Sequence, residues 1–142
     1  MPMELRILII EDNPQSRALM EYLVRAFGHT PITAKDGVEG LEVAMREVPD
    51  LVVCDIDLPR KNGYEIANAL RADSSLQFIP RIAVTALAMV GDRERILSSG
   101  FDGYIAKPIE PETFVQEVVS FKAVARARAG TIRKQRLDCS VT

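Results

Sequence analysis

The sequence predicts an α/β fold, a single parallel β-sheet covered on both faces by helices. Three observations carry this. Five short apolar runs are each followed by a segment of helical period, giving five βα units with no internal sequence repeat. The runs Leu5–Ile10 and Leu51–Val53 are apolar almost throughout instead of alternating with polar residues, which marks strands buried on both faces, as strands of a parallel sheet are. Both runs also end abruptly in acids, Glu11-Asp12 in the first case and Asp55 and Asp57 in the second. In open sheets of this kind, ligands bind at the carboxyl ends of the strands.

The first strand, Leu5 to Ile10, leads into a helix from about Pro14, on which Leu19, Tyr22, Leu23, Ala26 and Phe27 have the spacing of one buried face. Gly28 ends it. A strand over Thr30–Ala34 precedes a second helix with the stripe Val38, Leu41, Ala44, Met45 and Val48, which Pro49 terminates. Leu51–Val53 is the third strand, closed by Pro59, because proline cannot extend a central strand. After the turn signal Asn62-Gly63, a third helix runs from about Tyr64 to Ala72 with Ile66, Ala67 and Leu70 inward. Pro80 opens a fourth strand, Arg81 to Val84. A short polar helix over Asp92–Ser98, a fifth strand around Tyr104-Ile105-Ala106 and a last helix from near Pro111 complete the series. Val118, Phe121, Val124 and Ala125 extend that helix to about Ala129, before Gly130.

The 142 residues, 47% apolar and 27% charged, suit one domain with a hydrophobic core. No run approaches a membrane span and no signal-peptide profile opens the chain, so a cytoplasmic protein is expected. The net charge of −2 is uneven: from Phe121 onward six basic residues face one acid, a balance of +5 that leaves −7 for the body. The division is therefore residues 1–121 as the domain and 122–142 as a helical extension with a basic, mobile tail. Such tails are more often solvated than bound to nucleic acid, and nothing after Gly130 resembles a recognition module. Cys54 in a buried strand and Cys139 near the end are expected to be free thiols. His29 follows a helix in a turn context and is assigned a structural role, which leaves no nucleophilic triad.

If the first and third strands are neighbours, Glu11, Asp12, Asp55 and Asp57 crowd one edge. Two such charges about 5 Å apart repel by roughly 3 kcal/mol at an effective dielectric of about 20, so the cluster calls for a cation. The fourth and fifth strands bring Thr85 and Lys107 to the same edge. Carboxylates, a hydroxyl and a lysine suit a hard divalent cation together with a phosphoryl group, with Asp55 as nucleophile or acceptor.

Taken together, Glu11-Asp12-Asn13, Asp55-Ile56-Asp57-Leu58-Pro59 with Gly63, Thr85-Ala86, and Tyr104-Ile105-Ala106-Lys107-Pro108 resemble, in order and spacing, the signature of response-regulator receiver domains of two-component signalling. The resemblance covers about Leu5 to Phe121. In the detail of Thr85–Met89, Gly91-Asp92 and Arg95 it is nearest to hybrid-kinase receivers and single-domain cell-cycle regulators. It implies a CheY-like, three-layer (βα)5 flavodoxin-like sandwich with strand order 2-1-3-4-5. It further implies that Asp55 accepts a phosphoryl group from a histidine kinase or histidine phosphotransfer protein. Asp12, Asp55 and the main-chain carbonyl of Asp57 would ligate Mg2+, with Glu11 reaching it through water. Lys107, Thr85 and the N–H of Ala86 would hold phosphoryl oxygens, and Thr85 and Tyr104 would switch the surface of the fourth helix, fifth strand and fifth helix toward a downstream protein target. A cis Lys107–Pro108 bond is also implied. Leu87, two residues past the switch threonine, offers nothing to orient water, which implies slow loss of the phosphoryl group. With no output domain in these residues, the expected product is a protein contact made by a monomer or weak dimer.

Two alternatives compete. Asp55-Ile56-Asp57 also resembles the first motif of haloacid dehalogenase-type phosphatases, but Pro59 stands where that motif has Thr or Val, and the second acidic pair lies upstream. A flavin-binding domain of similar topology needs a phosphate loop after the first strand, where Glu11-Asp12-Asn13-Pro14 would repel the phosphate.

Overall fold

The computed structural model describes residues 4–86 and 91–122. Leu87, Met89 and everything from residue 123 on, including the end of the last helix, Gly130, the basic tail and Cys139, lie outside the described residues. Five strands, β1 (Arg6–Ile10), β2 (Thr30–Ala34), β3 (Leu51–Cys54), β4 (Arg81–Thr85) and β5 (Gly103–Ala106), form one parallel sheet of order β2-β1-β3-β4-β5. Between them lie α1 (Pro14–Ala26), α2 (Gly37–Glu47), α3 (Gly63–Ala72) and α4 (Asp92–Ser98), and residues 114–122 are helical, here α5. The architecture is that of a CheY-like flavodoxin fold, as expected.

The strand residues sort by parity, because successive side chains leave a strand on opposite faces. Leu8, Ile10, Val52, Cys54 and Ala83 pack with Val43 and Ala44 of α2, Ile66, Ala67 and Leu70 of α3, and Ile96 of α4. On the other face, Ile7, Ile9, Val53, Ile82 and Val84 pack with Met20, Leu23 and Val24 of α1 and Phe114, Val115 and Val118 of α5. Two cores thus sandwich one sheet, and the apolar runs are buried on both sides as their composition demands.

The starts of α1, α2 and α3 are fixed locally. The side chains of Asn13, Asp36 and Asn62 accept the N–H groups of Ser16, Glu39 and Glu65, and Glu65 returns a bond to Asn62 to complete a capping box. Gly28 has a φ of +89° just past α1, the left-handed turn its position implied.

Two helix faces differ from expectation. In α1 the sheet takes the stripe Met20, Leu23 and Val24, while Leu19, Tyr22 and Phe27 are exposed. Both stripes recur at helical spacing, so periodicity alone left their register open; Phe27 is already the C-cap and turns away. In α2 the buried face is Gly37, Gly40, Val43 and Ala44, with Met45 and Val48 outside. A Cβ on Gly40 would come within 2.6 Å of the Ile10 side chain, so α2 lies close on β1 through a glycine face that a hydrophobic stripe cannot reveal. Val48 is the left-handed C-cap of α2, with a φ of +44°, and so leaves the helical face altogether. Smaller shifts concern ends: β3 and β4 each run one residue further, to Cys54 and Thr85, and residues 111–113 form a turn before α5.

Candidate functional site

Strand register assembles the site. Ile10 pairs with Cys54 across β1 and β3, and the Asp55 N–H donates to the Ile10 carbonyl at 3.0 Å, so Glu11 and Asp55 emerge side by side. Thr85 pairs with Ala106, and the Lys107 N–H donates to the Thr85 carbonyl at 2.9 Å, which carries Lys107 to the same edge. The Lys107–Pro108 peptide bond is cis.

Glu11, Asp12 and Asp55 each present a carboxylate oxygen, all within 4.8 Å of one another. Lys107 Nζ bridges two of them, at 2.5 Å from Glu11 Oε1 and 3.0 Å from Asp55 Oδ2. The other Asp55 oxygen, Oδ1, accepts the Asp57 N–H at 3.1 Å. Asp55 is buried, Asp12 exposed, and Glu11 has no exposed surface. Burial, reinforced by the neighbouring Asp55, pushes the Glu11 carboxyl up to about 7 against the pull of Lys107. Burial also pulls the Lys107 ammonium down, but its bonds to Glu11 and then Asp55 outweigh this and hold it above the ordinary lysine value. Beneath the pocket, burial raises the Cys54 thiol well above its usual range, aided by the charges of Asp55 and Glu11, so it stays neutral and inert.

Three carboxylates against one ammonium leave an excess of negative charge, and Glu11 Oε2, although buried, accepts no hydrogen bond. Buried polar atoms without a partner are rare. An all-oxygen donor set with such an orphan fits a hard divalent cation such as Mg2+. The Asp57 carboxylate is exposed and stands apart from the converging three, so that residue has only its main chain to offer.

Thr85 is buried at the end of β4, Ala86 is exposed beside it, and Tyr104 on β5 is 37% exposed. His29 is structural: its Nδ1 accepts the Leu5 N–H at 3.0 Å. The expected site residues therefore gather at one sheet edge, apart from the Asp57 carboxylate and from Tyr104, which lies on the exposed face of β5 three residues before Lys107. Sequence reasoning missed the direct contact of Lys107 with Glu11. It also missed the support of the two acid-bearing loops: Arg17 donates to the Glu11 carbonyl at 2.9 Å, and Arg60 pairs with the Asp36 carboxylate at 3.3 Å. One signal was available for the second support, Gly37, where a Cβ would fall 1.6 Å from the Lys61 carbonyl oxygen.

A doubly wound sheet with an acidic pocket, a lysine and a threonine at its carboxyl edge is an α/β architecture of the CheY type. Residues 7–119 match the response regulator receiver domain, and the chain belongs to that family. It is 41% identical over 115 residues to the polar-differentiation response regulator DivK of Brucella anthropi, which covers 81% of this chain and 94% of that one. Among solved structures, a putative response regulator from Chloroflexus aurantiacus superposes with a TM-score of 0.81 at 26% identity, covering 85% of this chain and 99% of that one. The receiver domain of sensor histidine kinase PA1611 from Pseudomonas aeruginosa, described with a magnesium ion coordinated in its active-site cleft, does so with 0.78 at 30% identity and the same coverage. The family is one of signalling proteins, not of enzymes in the ordinary sense, and its membership favours the receiver over the phosphatase.

Proposed function

We propose that this chain is a single-domain response regulator whose Asp55 becomes a 4-aspartylphosphate, with the phosphoryl group supplied by a histidine kinase or histidine phosphotransfer protein. The observation that carries this is the asymmetric setting of Asp55, with Oδ2 on the Lys107 ammonium and Oδ1 on the Asp57 N–H inside an acidic pocket. Both oxygens are oriented, and a positive charge stands where phosphoryl oxygens arrive. A carboxylate oxygen attacks phosphorus in line, the P–N bond to the donor imidazole breaks with its electron pair, and an acyl phosphate forms. Lys107 then turns from carboxylate to phosphoryl oxygen, and the Thr85 hydroxyl and Ala86 N–H hold the others.

Glu11, Asp12, Asp55 and the main chain of Asp57 would hold Mg2+, with Glu11 acting through water. When bound, the ion supplies the positive charge that lets carboxylates and phosphoryl oxygens share the pocket. The PA1611 receiver domain, described with magnesium in its cleft, supports this assignment.

The donor approaches over α1. Beside the acceptor edge a cavity of about 370 Å3 is lined by Ser16, Leu19, Met20, Ala86, Lys107 and Ile109 among others, an apolar seat for a partner helix next to the reacting atoms. The answering surface is α4-β5-α5, where a second cavity of about 410 Å3 lies between Arg93, Tyr104 and Phe114. Inward movement of Thr85 and Tyr104 on phosphorylation would reshape it for a downstream protein, a bistable element biased by one covalent charge. Residues 1–121 act as the receiver and 122–142 as an extension. The protein works in the cytoplasm as a monomer or weak dimer, through protein contacts and not nucleic acid. Among the described residues no helix is long and apolar enough to cross a membrane.

Acetyl phosphate or phosphoramidate with Mg2+ tests the assignment. Phosphate transfer to the chain should saturate at one phosphoryl per molecule, whereas sustained multiple turnover on p-nitrophenyl phosphate would mark a phosphatase instead.

A further inference from the structure

We infer that Arg17 is a positioning residue of the acceptor site, holding the β1–α1 loop so that Asp12 and Glu11 present their carboxylates to a divalent cation. The inference rests on the assignment of the pocket as a Mg2+ site. Arg17 stands in the first turn of α1, half-buried, and its Nη1 donates to the main-chain carbonyl of Glu11 at 2.9 Å and reaches that of Asp12 at 3.4 Å. A guanidinium beside two acids would ordinarily pair with a carboxylate, because charge-assisted bonds are the stronger ones. Among the described residues it makes no ion pair and binds the backbone behind the acids. The carboxylates are thereby left to the pocket.

The rest of the loop has other anchors, and these leave a gap that Arg17 fills. The Glu11 N–H is tied to the Ala34 carbonyl at 3.0 Å, and Asn13 caps α1 through the Ser16 N–H at 2.9 Å. Between them Asp12 is exposed and lies in no strand or helix, so its direction is set by the peptide units on either side. Their carbonyls are the two that Arg17 engages. Asn13 and Arg17 are also joined along the helix, with the Arg17 N–H donating to the Asn13 carbonyl at 2.9 Å, so cap and guanidinium close a ring around the turn.

This role has the opposite sign from the plain electrostatic effect. A fixed positive charge near the pocket repels a divalent cation, so removing it for charge alone should tighten Mg2+ binding. If Arg17 positions the acids, removing it should weaken binding despite the lost repulsion. Arg17→Met keeps most of the apolar stem and discards both charge and donor; Arg17→Lys keeps the charge and a donor on a shorter reach.

Isothermal titration of Mg2+ into the wild type and both variants, with thermal melts in EDTA, tests the inference without any phosphoryl donor. Arg17→Met should bind Mg2+ roughly fivefold more weakly while melting within a few degrees of wild type, and Arg17→Lys should fall between them. Equal or tighter binding by Arg17→Met overturns the inference, as does an Arg17→Lys variant weaker than Arg17→Met. Absence of Mg2+ binding by the wild type would instead defeat the underlying assignment of the pocket.

Discussion

Lys107 is the residue on which the resting pocket turns. Its ammonium is the one positive group within bonding distance of both Glu11 and Asp55 among the described residues, and it occupies charge that a metal would otherwise neutralise. Its removal should therefore spare cation binding and impair the switching proposed to follow phosphorylation. Lys107→Ala should bind Mg2+ at least as tightly as wild type by calorimetry, while Asp12→Ala loses most of its affinity. Equal losses in the two variants would mean that the lysine organises the metal donors themselves. The place of Lys107 was legible in the sequence because a strand end fixed it. Its bond to Glu11 was not, since that depends on the spacing of β1 and β5 across two intervening strands.

At the scale of elements, the β3–α3 loop that carries Asp55 is wedged against the start of α2. Asp36 caps that helix through the Glu39 N–H at 2.8 Å and meets Arg60, which holds a φ of +71° in the loop. The Glu39 N–H above all, with Arg60 adding to it and burial opposing, keeps the Asp36 carboxyl below its ordinary value of 3.8. A carboxyl lowered in the folded state binds fewer protons there than in the unfolded chain. Its stabilisation is thus complete above the unfolded pKa and is lost as pH falls through the lower folded one. Asp36→Asn keeps a capping oxygen but does not titrate. The wild type should melt above this variant at neutral pH, and the gap should narrow as pH falls below the ordinary carboxyl value of 3.8 and through the lower folded one. A constant gap would remove Asp36 from the acid limb of stability.

Elements whose pattern is their own were legible in the sequence: the apolar strands, the Asn62-Gly63 start of α3 with Ile66, Ala67 and Leu70 inward, and α4. The faces of α1 and α2 were not, because each carries two candidate stripes and the choice is made by close packing on the sheet. In α2 that packing uses Gly37 and Gly40, residues without side chains to count.

For the whole molecule, parallel order places every strand's carboxyl end on one side, beside the start of α1. The proposed donor route runs over α1, where Leu19 is 40% exposed beside the cavity that Lys107 also lines. Leu19→Asp should slow transfer from a cognate phosphohistidine protein by about tenfold or more, a loss of about 1.4 kcal/mol, and leave phosphorylation by acetyl phosphate unchanged. A variant impaired equally with both donors would show that Leu19 supports the fold and not the docking. The four acid side chains at the edge were predicted together, and three of them converge as carboxylates. Asp57 does not, because the chain turns directly after Asp55 and only the Asp57 main chain faces back, its N–H on Asp55 Oδ1.

The most direct test of the acceptor is intact-mass measurement after incubation with phosphoramidate and Mg2+, comparing the wild type with Asp55→Asn. The wild type should gain the mass of one phosphoryl group and lose it on hydroxylamine treatment, as an acyl phosphate does, and Asp55→Asn should gain none. An undiminished gain in Asp55→Asn would place the phosphoryl group on another residue and contradict the account.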